Sequence, residues 1–77
     1  MSDPELREKL RAVVAEVAEI DEVPDDVSFK ELGIDSMMAI EIIAEIERTY
    51  KIKVPEQELE QVRDLNSVVA LVAAKLG

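Results

Sequence analysis

Apolar residues recur along this chain at the three- and four-residue spacing of helices that bury one face. Leu6, Leu10, Val13, Val14, Val17 and Ile20 keep that spacing, and the polar positions between them fall mostly on the opposite side. Ser2 and Glu5 have the spacing of a capping box, and Pro4 suits a first helical turn. A first helix is therefore predicted at about residues 4–19. A second should start at Asp35 or Ser36 and run to about Tyr50, burying Ala39, Ile42, Ile43, Ile46 and Tyr50. Met38, Glu41, Glu45 and Arg48 follow three, four and three residues apart, which puts them together on another face. Val54-Pro55 favours an extended step into a short third helix at about residues 56–61. Asp64 is the expected N-cap of a fourth, whose apolar stripe is Leu65, Val68, Val69, Val72 and Leu76, with Gly77 beyond its end. The valines lower helix propensity there, and residues 68–73 compete as a strand; the period and the alanines favour helix.

Between the first two helices the chain reads DEVPDDVSFKELGID over residues 21–35. Pro24 and the aspartates break the helix, and so long a connection in so small a domain is usually functional or disordered. Val23, Val27, Phe29, Leu32 and Ile34 are too apolar for disorder and are expected to pin the loop across the bundle. Ser28 and Glu31 can cap one short turn that Gly33 ends. No internal repeat, low-complexity tract or Gly/Ser linker interrupts the pattern. The expectation is one all-α domain over residues 1–77, a four-helix bundle with three main helices, one short helix and a long ordered first loop.

Composition narrows what such a bundle does. A chain of 77 residues buries only roughly 60% of the surface it exposes when unfolded, so its stability should be modest. It has no cysteine and no histidine, which removes disulfides, thiolate metal sites and the commonest general base. Phe29 and Tyr50 are its aromatics, so the core must be aliphatic. The N-terminus does not resemble a signal peptide and no apolar run approaches the roughly 20 residues of a membrane span; a cytoplasmic monomer with no membrane partner is expected. Of the net charge of −9, residues 21–50 carry nine acids against two bases. That argues against nucleic acid and suits partners with basic patches, although a merely solvated acidic face fits the charge as well. Asp21-Glu22 and Asp25-Asp26 form an acidic loop better read as solvated than as a metal site.

The segment Leu32-Gly33-Ile34-Asp35-Ser36-Met37-Met38-Ala39-Ile40-Glu41-Ile42 carries the chemistry. Gly33 permits a tight turn with positive φ. Asp35 can accept from the free N–H groups opening the second helix. Ser36 then stands exposed at a helix N-terminus, where an esterified phosphate meets the positive end of the helix dipole. The neighbouring Asp35 carboxylate opposes that phosphate by only about 1 kcal/mol in water. By itself, Gly-x-Asp-Ser before a helix is also ordinary turn and cap chemistry.

The segment resembles the attachment motif of acyl carrier proteins, roughly Gly-x-Asp-Ser-Leu with an aliphatic residue and Glu further on. Gly33, Asp35, Ser36, Ile40 and Glu41 match, with Met37 at the usual leucine. The resemblance covers the whole chain: the order of elements, the Val54-Pro55-Glu56 step, the length and the acidity all agree. It implies that a phosphopantetheinyl transferase attaches 4′-phosphopantetheine from coenzyme A to Ser36, with Asp35 and Gly33 framing the site. The arm would supply the thiol that the chain lacks, and the protein would be a carrier rather than an enzyme. It implies an acyl-chain lining of Ile46, Val54, Leu59, Val62 and Val68, residues that equally well fill the core, and a face of Asp35, Glu41 and Glu47 that meets basic patches on acyl-transfer, condensing and tailoring enzymes; Glu45 joins that face from its place on the stripe with Glu41, and Met37 and Met38 are counted with it beside the serine.

Two methionines depart from the common pattern. Met37 is expected to be a core substitution for leucine. Met38, on the stripe with Glu41 and Glu45, is either exposed beside the arm, where it would touch partners, or a partly covered residue resting on the loop. Together with Arg48 in the acidic face it suggests a specialised carrier, for polyketide-like or modified-lipid synthesis. A peptidyl or aminoacyl carrier with the same arm, and an unmodified acidic helical interaction module, are the competing readings.

Overall fold

The computed structural model describes residues 3–77 and contains helices only: α1 at Asp3–Ala18, α2 at Ser36–Tyr50, α3 at Glu56–Leu59 and α4 at Leu65–Leu76. The capping box expected from Ser2 lies outside the described residues. α1 ends sooner than Pro24 and the aspartates alone would require. Glu19 turns left-handed at φ 56°, and the Ile20 N–H returns to the Ala15 C=O at 3.1 Å. That reversal closes the last turn of the helix. α2 ends by the same device, with Lys51 at φ 55° donating to the Glu47 C=O and Ile52 N–H reaching the same oxygen at 3.3 Å. α3 has four residues, shorter than the predicted segment, and its last turn continues as a bend in which Gln61 N–H bonds to Glu58 C=O. α4 is helical throughout the stretch where a strand competed, and a reciprocal Asp64–Ser67 capping box starts it.

α1 packs on both α2 and α4, so the core lies where three apolar stripes meet. Leu10, Val14, Ile42, Ile46, Leu65, Val68 and Val72 are fully enclosed there. No polar or charged residue among the described ones is buried, so this centre is held by dispersion and hydrophobic burial alone. The long first connection is ordered. Val23, Phe29 and Ile34 are buried from it, and its turn forms as the Ser28 spacing predicts, with Glu31 N–H donating to Ser28 Oγ at 3.2 Å. Gly33 takes φ 83°, and Ile34 N–H then reaches Phe29 C=O at 2.9 Å.

The α1 arginines fasten this connection from outside. Arg11 donates to the Val23 C=O and to the Asp25 carboxylate. Arg7 donates to Asn66 Oδ1 at 2.6 Å and lies 3.6 Å from Asp25. The bond to Asp25 raises the Arg11 pKa further above its ordinary value, with burial opposing. Asn66 N–H closes the circuit on Asp25 C=O at 3.1 Å. None of the described helices is long and apolar enough to cross a membrane.

Candidate functional site

Ser36 is the first residue of α2 and is exposed. Asp35 stands before it in extended backbone, and its carboxylate accepts from Met38 N–H at 2.9 Å. Asp35 C=O takes the N–H of Ala39 at 2.9 Å. The helix start is thereby fixed one residue ahead of Ser36, and the N–H groups of Ser36 and Met37 point out of the helix end without intrahelical partners.

A cleft of about 630 Å³ opens beside the serine, a size usual for small-ligand sites. Ser28, Phe29, Lys30 and Ile34 of the first connection form one wall, Asp35, Ser36 and Ala39 another, and Val62 and Arg63 a third. Phe29 N–H bonds to Arg63 C=O at 2.7 Å and joins the first wall to the third. The donor set fits a phosphodiester on Ser36: an exposed hydroxyl, free backbone N–H groups at a helix start, and two cations on the cleft walls. The apolar patch of Phe29, Ile34, Ala39 and Val62 suits the hydrocarbon parts of a pantetheine.

Met37 lies outside the core, against expectation, and Met38 takes the partly covered of its two expected placements. Met37 is 72% exposed, and Ile40 beside it 54%, whereas Met38 is half-buried and packs against the core. The reason is rotational. Met38 precedes Ile42 by one helical turn and so reaches the edge of the buried stripe, while Met37 precedes Glu41 by one turn and shares its outward face. Met37 is therefore not a core substitution, and Met38 is not the exposed apolar residue beside the arm. Matching Ile40 to the motif's aliphatic position hides that it is a surface residue; its angle from the buried stripe is the signal that reveals it.

The expected acidic face is also thinner than its composition suggests. Asp35 and Glu41 are exposed, but Asp35 caps the helix. Glu45 pairs with Arg48 within α2. Glu47 turns inward, its Oε2 accepting from Val54 N–H at 2.8 Å, so it braces the departure from α2. Of the expected acyl-chain lining, Ile46, Val54 and Val68 are buried and Leu59 and Val62 half-buried; Val62 is the member that reaches the cleft beside Ser36. In the acidic loop, Asp25 is engaged by Arg7 and Arg11, and no group of three or more carboxylates gathers among the described residues.

The model of the phosphopantetheine attachment site matches residues 8–72. The anthracycline acyl carrier protein DpsG of Streptomyces peucetius is 42% identical, over 99% of this chain and 92% of that protein. Polyketide-8 synthase acyl carrier protein 2 of Streptomyces avermitilis is 40% identical, over 92% of this chain and 85% of that protein. An acyl carrier protein from Thermotoga maritima superposes with a TM-score of 0.83 at 24% identity, over 99% of this chain and 92% of that one, which shows the shared fold. The exposed serine at a capped helix start lies within a match spanning all but the ends of the chain, and the chain belongs to the acyl carrier proteins, whose cofactor is covalent 4′-phosphopantetheine.

Proposed function

We propose that Ser36 carries the 4′-phosphopantetheine arm and that the protein presents polyketide intermediates to the enzymes of polyketide synthesis. The observation that carries the first part is the placement of Ser36, exposed between an Asp35 cap and a cleft, inside the matched residues 8–72. Support for the second is the kinship with carriers named for anthracycline and polyketide synthesis. When bound, the arm supplies a thiol on which acyl groups are held as thioesters.

The chain's own residues do the remaining work. Asp35 fixes the helix start, so the Ser36 hydroxyl meets a transferase in one orientation. The exposed N–H groups and the cleft cations stabilise the negative charge of the phosphodiester. Met37 stands one turn before Ile40 and Glu41 on the exposed side of α2, and the three offer partner enzymes an apolar contact flanked by an acid. We assign the chain a carrier's role, with the chemistry left to its partners. The net charge of −9 keeps copies apart, in keeping with a monomer.

Incubation with coenzyme A and a promiscuous phosphopantetheinyl transferase, followed by intact mass measurement, tests the attachment. The expected result is a gain of one phosphopantetheine that Ser36→Ala abolishes. No gain, or a gain that survives Ser36→Ala, refutes it. Pairing the loaded carrier with fatty-acid synthase enzymes tests the pathway; turnover as efficient as with their own carrier would count against a polyketide role.

A further inference from the structure

The chain has no cysteine, so before any arm is attached its sulfur is confined to three methionines. Two of them directly follow Ser36, and the fold treats them in opposite ways. Met38 is half-buried and packs against the core. Met37 is 72% exposed and is joined by Ile40 at 54%, and neither packs on the core. The more accessible of these two thioethers therefore adjoins the proposed attachment serine, in an apolar patch that an approaching enzyme would cover. A thioether is apolar and pliant, whereas its sulfoxide is polar. At Met37 that change reaches the docking face and leaves the core untouched.

We propose that Met37 is a redox modification site, oxidised by hydrogen peroxide, and that its sulfoxide slows loading of the carrier at Ser36. The proposal rests on Ser36 as the attachment point. A lone pair of the Met37 sulfur attacks one peroxide oxygen; the S–O bond forms as the O–O bond breaks. The departing oxygen takes the proton of the transferred hydroxyl and leaves as water, so the sulfur gives up an electron pair and the peroxide gains it. Sulfoxide reductases reverse the change, one enzyme for each epimer. Their own thiols supply the electron pair and release the oxygen as water, because this chain has no cysteine. A sulfoxide oxygen covered by a partner's apolar surface loses its water without a replacement hydrogen bond, which corresponds to about a tenfold loss of kcat/KM in loading. The leucine that the attachment motif usually carries here has no such chemistry.

The test treats apo protein with limiting hydrogen peroxide and removes the excess with catalase. One portion goes to peptide mass mapping, and another to loading with coenzyme A and a phosphopantetheinyl transferase. Met37 should oxidise well ahead of Met38, and loading should slow about tenfold with the helical circular dichroism unchanged. The two sulfoxide reductases together should restore the rate. Each variant is compared with its own untreated form. Met37→Leu, which keeps Met1 and Met38, should lose its sensitivity to peroxide, and Met38→Leu should keep it. Equal oxidation of Met37 and Met38, undiminished loading of the Met37 sulfoxide, or sensitivity that persists in Met37→Leu overturns the modification site, while normal loading of the untreated chain leaves the attachment standing. An untreated chain that gains no mass at Ser36 overturns both.

Discussion

Two connections join the three main helices, and they are held very differently. Residues 19–35 bury Val23, Phe29 and Ile34 and are fastened by Arg7 and Arg11 through Asp25. Residues 51–64 bury only Val54. Their helix α3 buries nothing, and Pro55 before it gives no side-chain cap. Its polar strut is the pair Glu58–Lys75, 2.8 Å apart. Stability is not uniform even within a single small domain, and segments with few buried contacts open first. The cleft beside Ser36 takes Phe29 and Ile34 from the firm connection and Val62 and Arg63 from the loose one. One of its walls is thus fixed and another has freedom to yield.

The largest expected effect tests that contrast directly. Phe29→Ala should cost about 3–5 kcal/mol, the usual range for emptying a buried aromatic site. Leu59→Ala removes a half-buried side chain and should cost about 1–2 kcal/mol. Urea unfolding midpoints measure both; equal losses would break the comparison.

Part of this contrast can be read from the amino-acid sequence. The apolar run in the first connection predicts its order, and the Ser28, Glu31 and Gly33 positions predict its turn, because turn chemistry is local. The arginine fastening is not legible in the same way. Arg7, Arg11, Asp25 and Asn66 are far apart in sequence, and nothing local says which acid an arginine will meet. In the site, Asp35 and Ser36 follow from cap chemistry. Met37 comes out on the surface because a motif match judges it by the leucine whose place it takes, not by its angle from Ile42 and Ile46. Glu47 counts as a surface acid because a sequence displays its charge and not its reach to Val54 N–H.

The polar fasteners come next in size. Arg11→Met strips partners from the Val23 carbonyl and from Asp25. Discounted for partial solvent exposure, the cost should be about 1 kcal/mol, read as a lowered midpoint with amide protection lost across residues 23–28. Lys75→Met should cost less, under about 1 kcal/mol, and lower the midpoint correspondingly less, yet release protection selectively in residues 56–62. A global loss with α3 still protected would show that the second connection does not depend on its strut.

A gain of similar or smaller size is expected where the loose connection begins. Lys51 holds φ 55° at the end of α2, a conformation glycine adopts without its side-chain penalty. Lys51→Gly should therefore stabilise the fold by about 0.5–1 kcal/mol, less the dipole interaction of the lost cation, and so raise the midpoint. Loss of stability would mean that the Lys51 side chain braces the junction.

The smallest effect concerns the residue before it. Burial raises the Tyr50 phenol above its ordinary value of 10.0, so the fold favours the protonated form. The resulting stabilisation is fully present below the unfolded value and is lost as pH rises through the raised folded one. Tyr50 is the chain's single tyrosine and there is no tryptophan, so phenolate absorbance reports this site without interference. The titration should lie above that of the unfolded chain, and Tyr50→Phe should remove this component of alkaline destabilisation. A phenol that ionises at its ordinary value would mean that water already enters at the junction between α2 and the second connection. The loose segment would then begin one residue earlier, inside the helix itself, and the difference between the two connections would be larger than their buried side chains alone indicate.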